Sequence, residues 1–560
     1  TINKNANPRT IRNRYKKLSA VTGNEPELAM AGTEPRRRVA IVGAGISGLL
    51  ACKYALSKGF QPMVFESRDC EGGLWTKTLY STRLQSPKSI FHFSDFPWPP
   101  SMEEEFPRHD QVLRYLQSYA RHFDLLRHIR FNCRIVGIDL EGASVKEMRS
   151  WDLWGGSGEP FSGAAGKWRV TVEDRSGGST QMQFLTVDFV ILCVGRFSDV
   201  PNIPEFPAGE GPEVFEGKVI HSTDYAGMDP ARAAELVRGK RVTVVGMQKY
   251  GLDIAMECAK VNGVDHPCTM VYRSVSWPVP DFFPWGINLG YFYLTRFSEL
   301  LLHKPGEGAL LSLLAAALYP LRWGVSKFVE SYIRWKVPLA KHGMVPAHNL
   351  CHQFDACQLA ILPEGFYGRV EEGSIVLKKC PEEGFRFCNG GIILAPHGGD
   401  APPFHPTDVV ILATGFRGDL KLRDIFDSPI FRDLAAASPT AAIPFYRGCI
   451  HPRIPQLAVI GYWESFANLF TSEMECRWVT EMLAGRFRLP EIREMEEETA
   501  RWGDYMKRQS GRDHRRSCIA LLHIWYSDLV CRDMGWNPRR KKGWLADWFQ
   551  PYGPLDYSHP

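Results

Sequence analysis

No two of the fourteen cysteines stand in a C-x-x-C pair. That absence excludes a zinc ribbon or a thioredoxin-like redox pair and suggests reduced thiols in a cytoplasmic setting. Apolar runs are short as well. A membrane-spanning helix needs roughly 20 apolar residues, and the most apolar stretch, Ala309–Leu318, has half that length. It reads as a buried helix, with contact at a membrane surface, such as that of the endoplasmic reticulum, as the alternative. Positive charge is also scarce in the folded part. Residues 1–38 hold nine Lys/Arg against three Asp/Glu, so the +5 of the whole chain leaves −1 for the other 522 residues. A nucleic-acid partner therefore gains no support. No His/Cys/Asp/Glu cluster has metal-ligand spacing, and no metal is expected.

What is present is an ordinary globular composition, 44% apolar and 23% charged, on a chain of 560 residues. That length implies two or three domains. Residues 1–35 read as a flexible N-terminal extension, because the polar, basic first 29 precede Met30, a plausible start. They are poor in serine and lack an apolar stretch, which argues against a cleaved targeting peptide.

The most informative segment follows at once. Val39–Val42 is a short apolar run fit for a buried parallel strand, and Gly43, Gly45 and Gly48 then complete G-x-G-x-x-G. A helix-patterned stretch begins at Ile46 and Ser47, and a second strand, Pro62–Phe65, ends in Glu66 and Ser67. Gly43 permits the tight turn, Gly45 lets backbone approach a pyrophosphate, and Gly48 lets helix and strand pack closely. The helix start offers N–H groups and a positive dipole end, and Glu66 is placed to accept from ribose hydroxyls. The double glycine of Glu71-Gly72-Gly73-Leu74-Trp75 then lets the chain run close to an extended FAD, so Gly73, Leu74 and Trp75 join the candidate FAD contacts. A flavin disulfide reductase would carry a redox cysteine pair soon after, but the next cysteine after Cys70 is Cys133.

A second such unit is altered. Val244–Val245 lead into Gly246 and Gly251, but Gln248 stands where the middle glycine belongs, followed by Lys249 and Tyr250. A helix-patterned stretch and a strand, Thr269–Tyr272, complete the frame, which ends in Arg273 where an NAD-binding unit would place an acid. The planar fork of an arginine suits the 2′-phosphate of NADPH. Gln248 and Lys249 are expected to supply N–H donors and charge to a pyrophosphate displaced by the Gln248 side chain, and Gly246 and Tyr250 join them and Arg273 as candidate NADPH contacts.

With these residues the chain resembles the flavin-containing monooxygenases, more closely their plant branch. Phe215, Gly217, His221 and Tyr225 fit the family's F-x-G-x-x-x-H-x-x-x-[FYW] pattern. Asp408–Phe416 resembles its strand and ATG turn, adding Thr414 and Gly415 as cofactor contacts, and Val190–Pro204 resembles the matching earlier turn. The closing stretch from His523 is similar to plant members related to a pipecolate N-hydroxylase. The likeness covers roughly residues 36–557.

The resemblance implies an α/β fold of two Rossmann-like dinucleotide-binding domains, the NADPH domain inserted into the FAD domain. The FAD domain is expected over 36–207 and 405–560, and the NADPH domain over 208–404 with a helical, aromatic insertion at about 281–349; the boundaries near Pro207 and His405 fall in Pro/Gly-rich stretches that read as linkers. That insertion reads as a cap on the substrate entrance or as a packing block. The resemblance implies hydride transfer from NADPH to FAD, reaction with O₂ to a C4a-hydroperoxyflavin, and delivery of one oxygen atom to a soft nucleophile, the other leaving as water. Gln85 aligns with the family's active-site asparagine and is the candidate catalytic residue. His221 is expected to shape the inter-domain turn rather than act as a base. The implied substrate is a small amine or amino acid, pipecolate foremost, oxygenated at nitrogen. S-oxygenation, oxime formation and oxidative decarboxylation of an indole-pyruvate-type acid are rivals. A flavin-bearing regulator with an impaired NADPH site is the reading from another class.

Overall fold

The computed structural model describes residues 36–559 except 143, 145, 147–160, 162–165, 359, 382–383, 395–403, 436–443 and 512–517. The expected N-terminal extension and most of the Pro/Gly-rich linker before His405 lie outside the described residues.

Two parallel sheets organise the chain. The strands of the first are β1 (Arg38–Val42), β2 (Gln61–Phe65), β3 (Ile129–Arg130) and β4 (Phe189–Leu192), and those of the second β5 (Lys218–His221), β6 (Val242–Val245), β7 (Cys268–Tyr272), β8 (Ile375–Lys379) and β9 (Val409–Leu412). The last strand, β10 (Leu457–Val459), returns to the first sheet, giving the orders β10-β4-β1-β2-β3 and β8-β7-β6-β9-β5. Every neighbouring pair in both is parallel. Strands β4, β6 and β9 are buried at all four positions. That explains why they read as unbroken apolar runs, since a parallel sheet is covered on both faces. In each sheet the central strand has its successor on one side and a later strand on the other. The turns after β1 and β6 therefore lie at topological switch points, where open α/β sheets bind ligands. The two Rossmann-like domains expected from sequence are present.

The chain passes between the sheets twice, and the two passages are laced together. Asn202 N–H donates to the Gly415 carbonyl at 2.9 Å, and its side chain to that of Thr414 at 3.1 Å. The return was expected near His405. The strand Phe404–Pro406 and β9 instead complete the second half, and the hand-over falls at Ala413–Phe416. The Pro/Gly composition misled because the real junction is a turn pinned by hydrogen bonds rather than a loose linker.

The insertion adds short helices to the second domain. Among them are α3 (Gly290–Tyr293), α4 (Arg296–Leu300), α5 (Ala309–Ala317) and α6 (Tyr319–Lys336), numbered after α1 (Ile46–Ser57) and α2 (Lys249–Asn262). It is clamped to the C-terminal segment, which includes α8 (His523–Asp533) and α9 (Trp544–Phe549) beyond α7 (Asn468–Leu483). Buried Arg296 donates to both Asp528 oxygens at 2.5 and 2.9 Å and to the Tyr552 hydroxyl at 3.0 Å. A buried guanidinium is tolerable only when paired in this way. The insertion and the C-terminal segment thus form one packed block. One expectation is corrected: Cys357 and Cys518 form a disulfide across a separation of 161 residues. No local spacing pattern announces a pair so distant in sequence.

Candidate functional site

At the first switch point, Gly43 has φ +101°, and a Cβ there would lie 2.6 Å from the Cys193 carbonyl oxygen. A Cβ on Gly48 would lie 1.8 Å from the Gly43 oxygen, so the helix can sit this close only without a side chain. Gly45 ends the loop, and Ile46 and Ser47 open α1; no side chain caps this start. Its first-turn N–H groups are thus left for a ligand, as anion sites at helix starts require. A Cβ on Gly73 would come within 2.9 Å of the Gly45 Cα. The two glycine segments therefore meet backbone to backbone, with Leu74 and Trp75 in the short turn that follows.

Glu66 is buried at the end of β2, where Oε2 accepts from Ala44 N–H at 2.8 Å and Oε1 from Arg68 N–H at 3.0 Å. A carboxylate oxygen accepts two bonds, so Oε2 keeps a lone pair for a ribose hydroxyl. Exposed Ser67 turns its hydroxyl to Glu66 at 3.2 Å.

The second loop keeps the shape of the first despite its sequence. Gly246 has φ +115°, and a Cβ on Gly251 would lie 2.1 Å from the Gly246 oxygen, repeating the Gly43–Gly48 contact. Gln248 has φ −95° and ψ −176°, against −78° and −168° at Gly45. Both are extended conformations open to any residue. In the first loop it is the approach of Gly73 that demands glycine, not the turn itself. Gln248 is exposed at the start of α2, which no side chain caps. Arg273, exposed, follows β7 as Glu66 follows β2.

Lys249 and Tyr250 are placed otherwise than expected. The Lys249 ammonium turns back along α2 to Asp253 at 2.6 Å. The Tyr250 hydroxyl lies 3.4 Å from Thr78 Oγ1, its ring packs on Phe416, and burial pushes its pKa up. Tyr250 thus joins the two domains rather than facing the loop. Thr414 and Gly415 likewise serve the crossing: the Thr414 hydroxyl donates to the Asn202 carbonyl at 2.5 Å.

Gln85 Oε1 is enclosed with no hydrogen-bond donor among the described residues. The loop before it is tied to α2, with Thr82 Oγ1 donating to Asp253 Oδ2 at 2.7 Å and Ser81 Oγ to Glu257 at 2.5 Å. Sequence reasoning missed Thr82 and Glu257, because nothing local pairs residues some 170 positions apart. His221 Nδ1 accepts from Thr223 N–H at 3.2 Å, and burial lowers its pKa. That geometry places it as the neutral cap of a short helix.

The residues fit a dinucleotide at each loop, on the uncapped helix starts, the glycine contacts and the opposed Glu66 and Arg273. The comparisons agree. A family model described as flavin-binding monooxygenase-like matches residues 36–316. Probable flavin-containing monooxygenase 1 of Arabidopsis thaliana is 39% identical over 532 residues, covering 93% of this chain and 96% of that protein. Among solved structures, the S-allyl-L-cysteine S-oxygenase of Allium sativum aligns at a TM-score of 0.55 and 17% identity, over 90% of this chain and 89% of that one. OTEMO in complex with FAD and NADP aligns at 0.59 and 18%, over 87% and 95%. At such identities the structural likeness concerns the fold.

Proposed function

The chain belongs to the flavin-binding monooxygenase-like family, and from that premise we propose that this NADPH-dependent enzyme hydroxylates the nitrogen of a small amine or amino acid such as pipecolate. FAD, reduced by NADPH, supplies the chemistry: it activates O₂ so that one oxygen atom reaches a nucleophile and the other leaves as water. The protein has to hold both dinucleotides, orient the nucleophile and exclude water. The first loop with Glu66 and Gly73 would hold FAD, and the second loop with Arg273 would hold NADPH.

The observation that carries the nitrogen reading is the enclosed, unpartnered Oε1 of Gln85. A buried acceptor without a donor is costly, and an amine N–H satisfies it where a thioether cannot. The shared fold with an S-oxygenase does not weigh against this, because one fold hosts many substrates. The test is mass spectrometry of products after incubation with NADPH, O₂ and a matched panel of cyclic amino acids, amines, thioethers and indole-pyruvate-type keto acids. The expected product is N-hydroxypipecolate or another hydroxylamine carrying one added oxygen. Sulfoxides alone, or loss of CO₂ from a keto acid, would overturn the assignment.

A further inference from the structure

Twelve of the fourteen cysteines are free thiols, and ten of these are buried. Thiols enclosed in that way are inert packing. The Cys357–Cys518 bond stands apart from them, as redox chemistry that no dinucleotide contact uses. Its two ends are anchored on different domains.

Cys357 belongs to the second domain. It follows the helix Leu350–Asp355 with φ +50°, in the left-handed position that glycine usually takes at a helix end. Gln353 binds that helix inward, accepting from Trp277 N–H at 2.5 Å and donating to the Trp277 carbonyl at 2.7 Å. Glu330 of α6 accepts from Leu350 N–H at 3.0 Å. Cys518 is held against the first domain. Ile519 N–H donates to the Glu464 carbonyl at 2.8 Å, on the stretch between β10 and α7. The same stretch carries Gly461, where a Cβ would meet Ser47 Oγ at 2.5 Å, and Ser47 lies at the start of α1 beside the first glycine loop. Glu464 itself pairs with Arg196 at 3.1 Å, on the first passage between the sheets. The bond therefore fastens a helix of the second domain to the stretch that backs the first glycine loop.

The two sulfurs are not equally reachable. Cys357 is half-buried, and Cys518 is 4% exposed. An incoming thiolate meets Cys357, which makes Cys518 the leaving sulfur. Each sulfur already faces an acceptor for the proton it would gain. Cys357 Sγ lies 3.4 Å from the Glu464 carbonyl oxygen, and Cys518 Sγ 3.6 Å from that of Phe354. The open dithiol is thus accommodated in place, with two weak S–H···O contacts where a covalent tie had been.

We propose that Cys357–Cys518 is a reducible clasp between the two domains, opened by a protein dithiol that attacks Cys357. The attacking thiolate bonds to Cys357 Sγ, the S–S bond breaks, and Cys518 leaves as a thiolate that takes up a proton. The second thiol of the reductant then gives up its proton and displaces Cys357, which is protonated in turn. Two electrons and two protons pass to this chain, and the reductant ends as its own disulfide. Opening the clasp loosens one domain against the other, so hydride transfer, which needs both cofactors in register, slows. That rate effect rests on the assignment of one dinucleotide to each loop; the opening itself does not.

The test uses the flavin-loaded full chain isolated without reductant. Free thiols are blocked in denaturant with one alkylating reagent, then the bond is reduced and labelled with a second. Peptide mass spectrometry should place the second label on Cys357 and Cys518 alone. A thioredoxin whose second active-site cysteine is replaced by serine should be trapped as a mixed disulfide on Cys357. Reduction by intact thioredoxin should lower the melting temperature by several degrees, since a tie across a long loop is lost. It should also slow anaerobic flavin reduction by NADPH roughly threefold or more, and glutathione disulfide should reverse both changes. Cys357→Ser and Cys518→Ser should each match the reduced parent and respond to neither treatment. Absence of the second label, trapping on Cys518, or a Cys357→Ser protein that still responds to thioredoxin would overturn the clasp. An unchanged rate of flavin reduction beside the expected trapping and melting shift would overturn its link to hydride transfer.

Discussion

Thr82 Oγ1 donates to Asp253 Oδ2 across 2.7 Å, so the segment leading to Gln85 is fixed by the helix that starts at the altered glycine loop. Asp253 is 3% exposed, and its other oxygen holds the Lys249 ammonium at 2.6 Å. One carboxylate therefore ties the second glycine loop and the segment before Gln85 together. Asp253→Ala should release both: the Michaelis constant for NADPH rises, and more of the NADPH consumed ends as hydrogen peroxide. Hydrogen bonds to a charged group contribute about 1.5–3 kcal/mol, roughly a ten- to hundredfold effect. Asp253→Asn keeps an acceptor for Thr82 but loses the ion pair, so it should show the NADPH defect with coupling largely retained. Steady-state assays that quantify NADPH, product and peroxide separate the two.

Arg273 stands after β7 where Glu66 stands after β2, and the proposal that the two loops take different dinucleotides rests on this exchange of charge. Arg273→Ala should raise the Michaelis constant for NADPH tenfold or more, the value of a bidentate phosphate contact. The constant for NADH should stay nearly unchanged, because NADH has no 2′-phosphate. Equal loss with both coenzymes would count against a 2′-phosphate role.

The orphaned oxygen of Gln85 leads to a prediction about coupling. Gln85→Ala should keep flavin binding and NADPH oxidation yet divert turnover to peroxide, lowering product per NADPH severalfold. Gln85→Asn restores the carbonyl one methylene short and should recover part of the coupling. Product yield against peroxide in the same reaction is the measurement, and unchanged coupling in Gln85→Ala would end this role.

The dihedral match between Gln248 and Gly45 makes a sharper contrast. Gln248→Gly should leave the rate of flavin reduction by NADPH within about threefold, since the backbone there is extended already. Gly73→Ala should lose FAD on dialysis, because its φ is +58° and a Cβ would press on Gly45 at 2.9 Å. Absorbance of retained flavin and stopped-flow bleaching under nitrogen check the pair.

The two dinucleotide units were legible in the sequence because each is a local device: strand, glycine turn, helix and a charged residue lie within one short stretch. What stayed illegible is tertiary. Lys249 reads as a phosphate contact and Tyr250 as a cofactor contact from their place in the motif, but a buried carboxylate one turn along the helix captures the lysine. The tyrosine goes to Thr78 of the other domain. Neither partner is marked by spacing. The Cys357–Cys518 bridge and the Thr82–Asp253 bond are of the same kind, with partners 161 and 171 residues apart. The insertion could be seen as apolar and aromatic, but that it docks on the C-terminal segment through Arg296 needed the fold.

Burial also sets a pH response. Glu475 on α7 is fully enclosed, accepts one backbone bond from Gly461 N–H at 2.7 Å, and has its pKa pushed up to about 8 by desolvation. An unfolded glutamate titrates near 4.3, so between about 4.3 and 8 the folded chain binds the extra proton. Stability from this group is therefore complete below about pH 4.3 and is lost as pH rises through 8. Glu475→Gln keeps the shape of the neutral acid and removes the titration. The melting temperature of the parent holoenzyme should fall between pH 6 and pH 9 by several degrees more than that of Glu475→Gln. Parallel curves for the two proteins would mean that Glu475 is ionised in the fold and held by a partner other than Gly461.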